Sequence, residues 1–294
     1  MAVSGPFDPR LTRLRKVRSA PGFRRAAFLH ARVAEDLADR LEAIPRRFER
    51  ALALGGGGLF SQALQRRPEL ASRIGAVIEA DLASGDVQVD PEHPPFAAGA
   101  FDLIASPLLL HWVNDLPGAL IQLRRCLRPD GLLLAALLGG DTLHELRLAL
   151  IAAETEISGG ASLRVGPFVG LQDLAHLLQR AGFALPAADR DVITVRYAEP
   201  AGLIADLRAM GETAALRERP RGLNRRILAR AFAIYRERFS DADGRVRASF
   251  EIVTATGWAP HESQQKPLKP GSAKTRLADA LKTTEQSAGE KPGD

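Results

Sequence analysis

The stretch ALALGGGGLF, residues 51–60, limits this chain more than any other. An apolar run of strand length enters four consecutive glycines, and LFSQALQRR (59–67) then has the makings of a helix. A strand, a glycine turn and a helix in that order open a βαβ unit. Such units build a parallel sheet covered by helices on both faces. Glycine also lets backbone come close to a ligand, and the helix N-terminus behind the turn favours negative charge.

The alternation continues. GAVIEADLA (75–83) reads as a second strand, DVQVD as a short third ending near Asp90, and FDLIAS (101–106) as a fourth. LLLAALL (132–138) is continuously apolar, as expected of a strand buried on both faces. Residues 192–197 and 249–258 supply two further strands around a helical stretch at 200–240, broken near RPRG, and this last pair is expected to run antiparallel. Helices are expected before the first strand, where Val33, Leu37, Leu41 and Ile44 share one face, and at 115–127, 141–156 and 171–183. Thr142 and Glu145 have the spacing of a capping box.

The expected fold is therefore α/β, a Rossmann-like doubly wound sheet, mostly parallel with an antiparallel last strand. N-terminal helices (1–47) precede a main domain (48–260) with a helical insertion at about 200–240. A polar extension (261–294) follows, expected to be disordered from about 274. Its first part, HESQQKPLKPGS (261–272), suits a lid or a partner-docking segment.

Several function classes fall away. The longest apolar run, 131–140, is too short to span a bilayer. The single cysteine, Cys126, allows neither an internal disulfide nor a cysteine-rich zinc site. Net charge is +5 among 294 residues, carried mostly by arginine, with lysine only at Lys16 and from Lys266 onward. That excess fits an acidic protein face as well as it fits nucleic acid, and no nucleic-acid partner is expected. The Arg-rich start has the composition of a mitochondrial presequence. It has no apolar core, and Asp8 with the pattern after it points to a folded basic helix. The chain is expected in the cytoplasm, at or near the inner face of the membrane.

In a doubly wound sheet, ligands bind outside the carboxyl ends of the strands. Gly55 and Gly57 would line the turn. Glu79 and Asp81 are both placed to accept hydrogen bonds from ribose hydroxyls, and Asp90 to meet an adenine amino group. His111, just after the fourth strand, is placed either to act as a base toward a substrate or, with Trp112, to pack over the strand end.

FDLIAS…LLLHWVNDLPGALIQLRRCLRPDGLLLAALLGGDTL resembles the core of class I S-adenosylmethionine-dependent methyltransferases. LHWVNDLPGAL, LGGDTLHELR, AETEISGG, DLAHLLQRAGF, YRERF and GWAPHESQQKPLKPGSA narrow the resemblance to one branch, the bacterial and mitochondrial complex I assembly factors. The resemblance implies S-adenosylmethionine as cofactor, held by Gly55, Gly57, Asp81 and Asp90. It implies a protein substrate, an iron–sulfur subunit of respiratory complex I, modified by arginine hydroxylation. The malonyl-carrier O-methyltransferase of biotin synthesis and a non-catalytic assembly chaperone are the alternatives. The family's D-x-G-x-G-x-G turn has Ala53 in place of its acid and Leu59 in place of its third glycine. For oxygen chemistry His111, Asp141, His144 and Glu145 are the available ligand types, but a cap explains Thr142 and Glu145 better, and no metal site is expected.

Overall fold

The structure, a computed structural model, describes residues 5–218, 222–265, 279 and 283. Seven strands among these residues form one sheet: β1 (Phe48–Leu54), β2 (Ile74–Asp81), β3 (Val87–Gln88), β4 (Phe101–Pro107), β5 (Leu127–Leu138), β6 (Ala184–Tyr197) and β7 (Val246–Trp258). Their spatial order is β3-β2-β1-β4-β5-β7-β6. Strands β1 to β5 pair in parallel, and β7 runs antiparallel to both β5 and β6. The expected class is the observed one.

Alternation along the strands sorts the core into two layers. Ala51, Ala53, Leu103, Ala105, Leu132 and Leu134 face one side, with α3 (Phe28–Glu42), α4 (Leu59–Gln65), α7 (His144–Ser158) and α10 (Arg225–Phe239) packed on them. Leu52, Leu54, Ile104, Leu133, Ala135 and Leu137 face the other, under α6 (Leu116–Cys126) and α8 (Leu171–Arg180). Apolar residues at odd and even positions are both buried, which is why LLLAALL reads as an unbroken run.

The remaining helices are α1 (Pro9–Ser19), α2 (Phe23–Ala26), α5 (Pro68–Ser72) and α9 (Pro200–Ala209). Asp8 caps α1, accepting from the backbone N–H groups of Arg10 and Leu11. The chain before α1 pairs with the segment after α9. Phe7 bridges Leu216, Asp8 N donates to Ala215 O at 2.8 Å, and Arg217 N donates to Pro6 O at 2.8 Å. The N-terminal helices thus share one compact unit with the sheet, and that unit extends to Pro260.

Three local expectations are corrected. Thr142 and Glu145 form no capping box. Thr142 Oγ1 donates to Glu251 O at 3.0 Å, Glu145 accepts from Ser249 N and Oγ, and Leu143 enters α7 at φ 55°. Pairing with β7 outcompetes the local cap. Strand β6 starts at Ala184, well before Val192, because its first half is held by register with β7 rather than by its own pattern. Strand β5 reaches back over RPDG to Leu127, whose partner is Phe101, and Asp130 there takes φ 63°.

No helix among the described residues is long and apolar enough to cross a membrane. In the extension, His261 Nδ1 meets Ser263 Oγ at 2.7 Å. The stretch expected to be disordered from about 274, residues 279 and 283 apart, and most of the segment 261–272 lie outside the described residues.

Candidate functional site

The glycine run does what no other residues could. Gly55 to Gly58 all have positive φ, between 57° and 87°. A Cβ on Gly55 would lie 2.6 Å from Leu109 Cβ, one on Gly56 2.6 Å from Pro107 Cγ, and one on Gly57 2.7 Å from Phe23 Cε1. Each glycine therefore answers to a conformation and to a neighbour. Gly55 N donates to Ala80 O, and Ser106 Oγ donates to Leu54 O, so the ends of β1, β2 and β4 are tied around the turn.

The turn opens into a cavity of about 550 Å³. Gly55, Gly57 and Asp81 all line it, as do Glu79, Lys16 and Phe23. Asp81 Oδ1 accepts from Leu82 N. Glu79 accepts from Ser61, and burial raises its pKa. Asp90 lies elsewhere. It lines a second cavity of about 460 Å³ whose walls include Leu82, Val89, Leu109 and Trp112. Its carboxylate caps its own turn, accepting from Glu92 N at 3.0 Å, and its side chain is 59% exposed.

His111 is in neither lining. Leu108, at φ 54°, turns the chain out of β4, and a short 3-10 turn, Leu110–Trp112, buries the histidine completely. Around this corner Trp112 packs edge-to-face with Phe7 and Phe168, Phe7 stacks on Phe168, and Phe168 meets His111 edge-to-face.

The group that organises the corner is Glu212, which follows α9. Its Oε2 accepts from His111 Nε2 at 3.0 Å and Trp112 Nε1 at 2.8 Å. Its Oε1 accepts from His30 Nε2 at 3.0 Å and from Lys16 Nζ. Burial alone would raise the pKa of this carboxylate. The charge of Lys16 and the two histidine hydrogen bonds more than reverse that, holding it well below the usual carboxylate range. Burial lowers the pKa of both His30 and His111. Two neutral imidazoles donating through Nε2 leave their Nδ1 atoms as bare acceptors, and neither Nδ1 has a hydrogen-bond partner.

His30 and Glu212 were not singled out from sequence. One signal existed: Lys16 is the sole lysine before Lys266 in a chain that otherwise uses arginine. A compact ammonium suits a buried carboxylate already crowded by three other donors. Of the metal-type residues weighed, Asp141 and His144 line a small separate hollow, while Glu145 holds Ser249. Among the described residues no three His, Cys, Asp or Glu are grouped to hold a metal ion.

A family model described as "Methyltransferase domain" matches residues 24–187, the stretch that carries the strand–glycine–helix cradle and strands β1 to β5. The chain belongs to the methyltransferase-domain family. Within it, this methyltransferase-domain chain is 42% identical over 260 residues to "Arginine-hydroxylase NDUFAF5, mitochondrial" of Homo sapiens, covering 84% of this chain and 74% of that protein. It is 34% identical over 278 residues to "Malonyl-[acyl-carrier protein] O-methyltransferase" of Halorhodospira halophila, covering 88% and 91%. The YcgJ protein of Bacillus subtilis shares the fold at a TM-score of 0.51 with 14% identity, over 76% of this chain and 98% of that one.

Proposed function

We propose that this protein binds S-adenosylmethionine and modifies an arginine side chain of a protein partner, an iron–sulfur subunit of respiratory complex I. The observation that carries the reading is the identity to the mitochondrial arginine hydroxylases, 38–42% over most of the chain.

The residues fit an adenosyl cofactor. The glycine turn leaves backbone where a Cβ would intrude, and Asp81 faces the same cavity, placed for ribose hydroxyls. The second cavity has the apolar walls that a flat base needs, in Leu82, Val89 and Leu109. Asp90 is the weaker member of this set, since its own turn already holds it. Bound there, the cofactor would supply an activated methyl group for transfer to a carrier protein; hydroxylating an arginine would instead consume dioxygen and a two-electron reductant, both brought to this chain from outside. Ala53 stands where methyltransferases carry an acid, and it is fully buried in the core, so that support is absent from this turn.

Of the two roles expected of His111, packing at the end of β4 fits better than acting as a base, because its ring is fully buried and lines neither cavity. Glu212 occupies its Nε2, which leaves a neutral ring whose Nδ1 is buried and without a hydrogen-bond partner. Trp112, the next residue, lines the second cavity, whereas His111 does not.

Mass spectrometry of the iron–sulfur subunit from a deletion strain tests the reading. Loss of one added oxygen on an arginine is the expected result, and an unchanged subunit with normal complex I assembly overturns it. A second reading rests on the carrier-protein methyltransferases, which match most of their own length at 33–34% identity. It requires methyl transfer to a malonyl carrier protein and a biotin requirement in the deletion strain.

A further inference from the structure

The N-terminal arm concentrates the charge of the molecule. Residues 9–32 hold eight basic side chains and no acid, while the whole chain nets only +5. Three of the eight serve the fold: Arg15 donates to Thr213 O, Lys16 pairs with Glu212, and Arg13 donates to Gln88. The side chains of Arg10, Arg18, Arg24 and Arg25 are exposed, and among the described residues no salt bridge or hydrogen bond holds them. Between the arginines of α1 stand two uncovered aliphatics, Leu14 at 42% and Val17 at 49% exposure. Residues three and four apart share a helix face, so Arg10, Leu14, Val17 and Arg18 form one outward stripe.

This stripe borders the candidate site. Arg10 and Arg13 line the cavity of Asp90, while Arg24 and Arg25, just beyond α1, line the cavity of the glycine turn. Whatever covers the stripe sits at the rim of both.

We propose that the outer face of α1, continued by Arg24 and Arg25, docks an acidic amphipathic segment of a protein partner. The proposal rests on the reading above only in taking the substrate to be a protein. Charge complementarity selects the partner's acidic residues: guanidinium groups bind carboxylates through paired, planar hydrogen bonds. Leu14 and Val17 provide the apolar centre that such an interface needs inside a polar rim. The competing occupant is an anionic lipid surface. Only two aliphatic side chains stand ready to insert into one, and a flat bilayer on this stripe would lie across both cavity mouths. A protein segment can hold the arginines and still leave its own chain at those mouths.

The test uses the full chain and a fluorescent amphipathic peptide built from Glu and Leu, read by anisotropy. Arg10→Glu with Arg18→Glu should weaken binding about tenfold or more, with a shallower salt dependence. Leu14→Ser with Val17→Ser should weaken it roughly threefold, through lost apolar burial. Arg180→Glu with Arg226→Glu, elsewhere on the surface, should change little. Equal losses in all three pairs, or none in the first, overturn the proposal. So does tighter binding to phosphatidylglycerol vesicles that the first pair abolishes. Melting curves show that each variant is folded. The readout needs neither cofactor nor turnover, so its failure is separate from failure of the proposed activity.

Discussion

His111 donates its Nε2 proton to Glu212 at 3.0 Å, and both side chains are sealed from solvent. A carboxylate in such a place stands only while it is balanced. Lys16 supplies the charge, and two imidazoles and an indole supply the remaining donors. Glu212 thereby ties α1, α3 and the turn after β4 to the segment following α9.

Glu212→Ala should accordingly be among the most damaging single changes. It leaves Lys16, 10% exposed, without its counter-charge, and three donors without an acceptor. Breaking a buried pair from one side costs about 3–5 kcal/mol. Replacing both partners, Lys16→Met with Glu212→Gln, should cost clearly less than the sum of the single changes. Urea denaturation of the four proteins measures that coupling; simple additivity would mean that Lys16 and Glu212 do not act as a pair.

The same cluster sets a pH dependence whose sign follows from the depressed histidines. Both His30 and His111 have folded pKa values below 6.5. As pH falls below 6.5, the unfolded chain takes up protons that the folded state refuses. Unfolding is then favoured, by at most about 1.4 kcal/mol per pH unit for each histidine. Glu212 works in a lower window. Its pKa is depressed, so its contribution is complete above about 4.5 and is lost as pH falls through its folded value. Thermal melts should show Tm falling between pH 6.5 and 5, and His30→Gln should flatten that slope. A slope unchanged in both His30→Gln and His111→Gln would remove the histidines as its cause.

The difference between what could and could not be read from the chain lies in how far apart the partners are. The unbroken apolar run at 132–138 and the helix face of Val33, Leu37 and Leu41 each carry a local signal of their own, and the structure buries them as read. The glycine turn was legible because positive φ and close approach leave a mark at each position. Glu212 left no mark at its own position, only the isolated Lys16 far from it: its histidine partners, His111 and His30, are 101 and 182 residues away in sequence. Thr142 and Glu145 show the opposite error. A local pattern suggested a cap, but β7 offered both side chains better partners.

The glycine turn gives a prediction that separates conformation from contact. At Gly57, φ is 57° and an added Cβ meets Phe23 Cε1 at 2.7 Å. Gly57→Ala should lower stability by about 1–2 kcal/mol through the left-handed backbone alone. The collision with Phe23 adds to this. Phe23→Ala in the same protein should relieve only the collision. Calorimetric titration with S-adenosylmethionine should show weaker binding in Gly57→Ala, since the same methyl group narrows the cavity. Wild-type affinity in that variant would mean that the turn does not form the binding surface.

Asp81 and Asp90 belong to the same sequence pattern but sit in different surroundings, so their variants should diverge. Asp81 is buried at the end of β2 and faces the cavity of the glycine turn. One of its oxygens is held by Leu82 N, so the other is the one available to a ligand. Asp90 is mostly exposed and holds its own turn through Glu92 N. A hydrogen bond to a charged acceptor contributes about 1.5–3 kcal/mol, so Asp81→Asn should weaken S-adenosylmethionine about tenfold or more. Asp90→Asn should change affinity by less than about threefold, because an amide oxygen can still accept from the turn. Titration of the two variants beside wild type decides between them. Equal losses would place Asp90 against the ligand after all, and no loss in Asp81→Asn would move the ribose contact to Glu79.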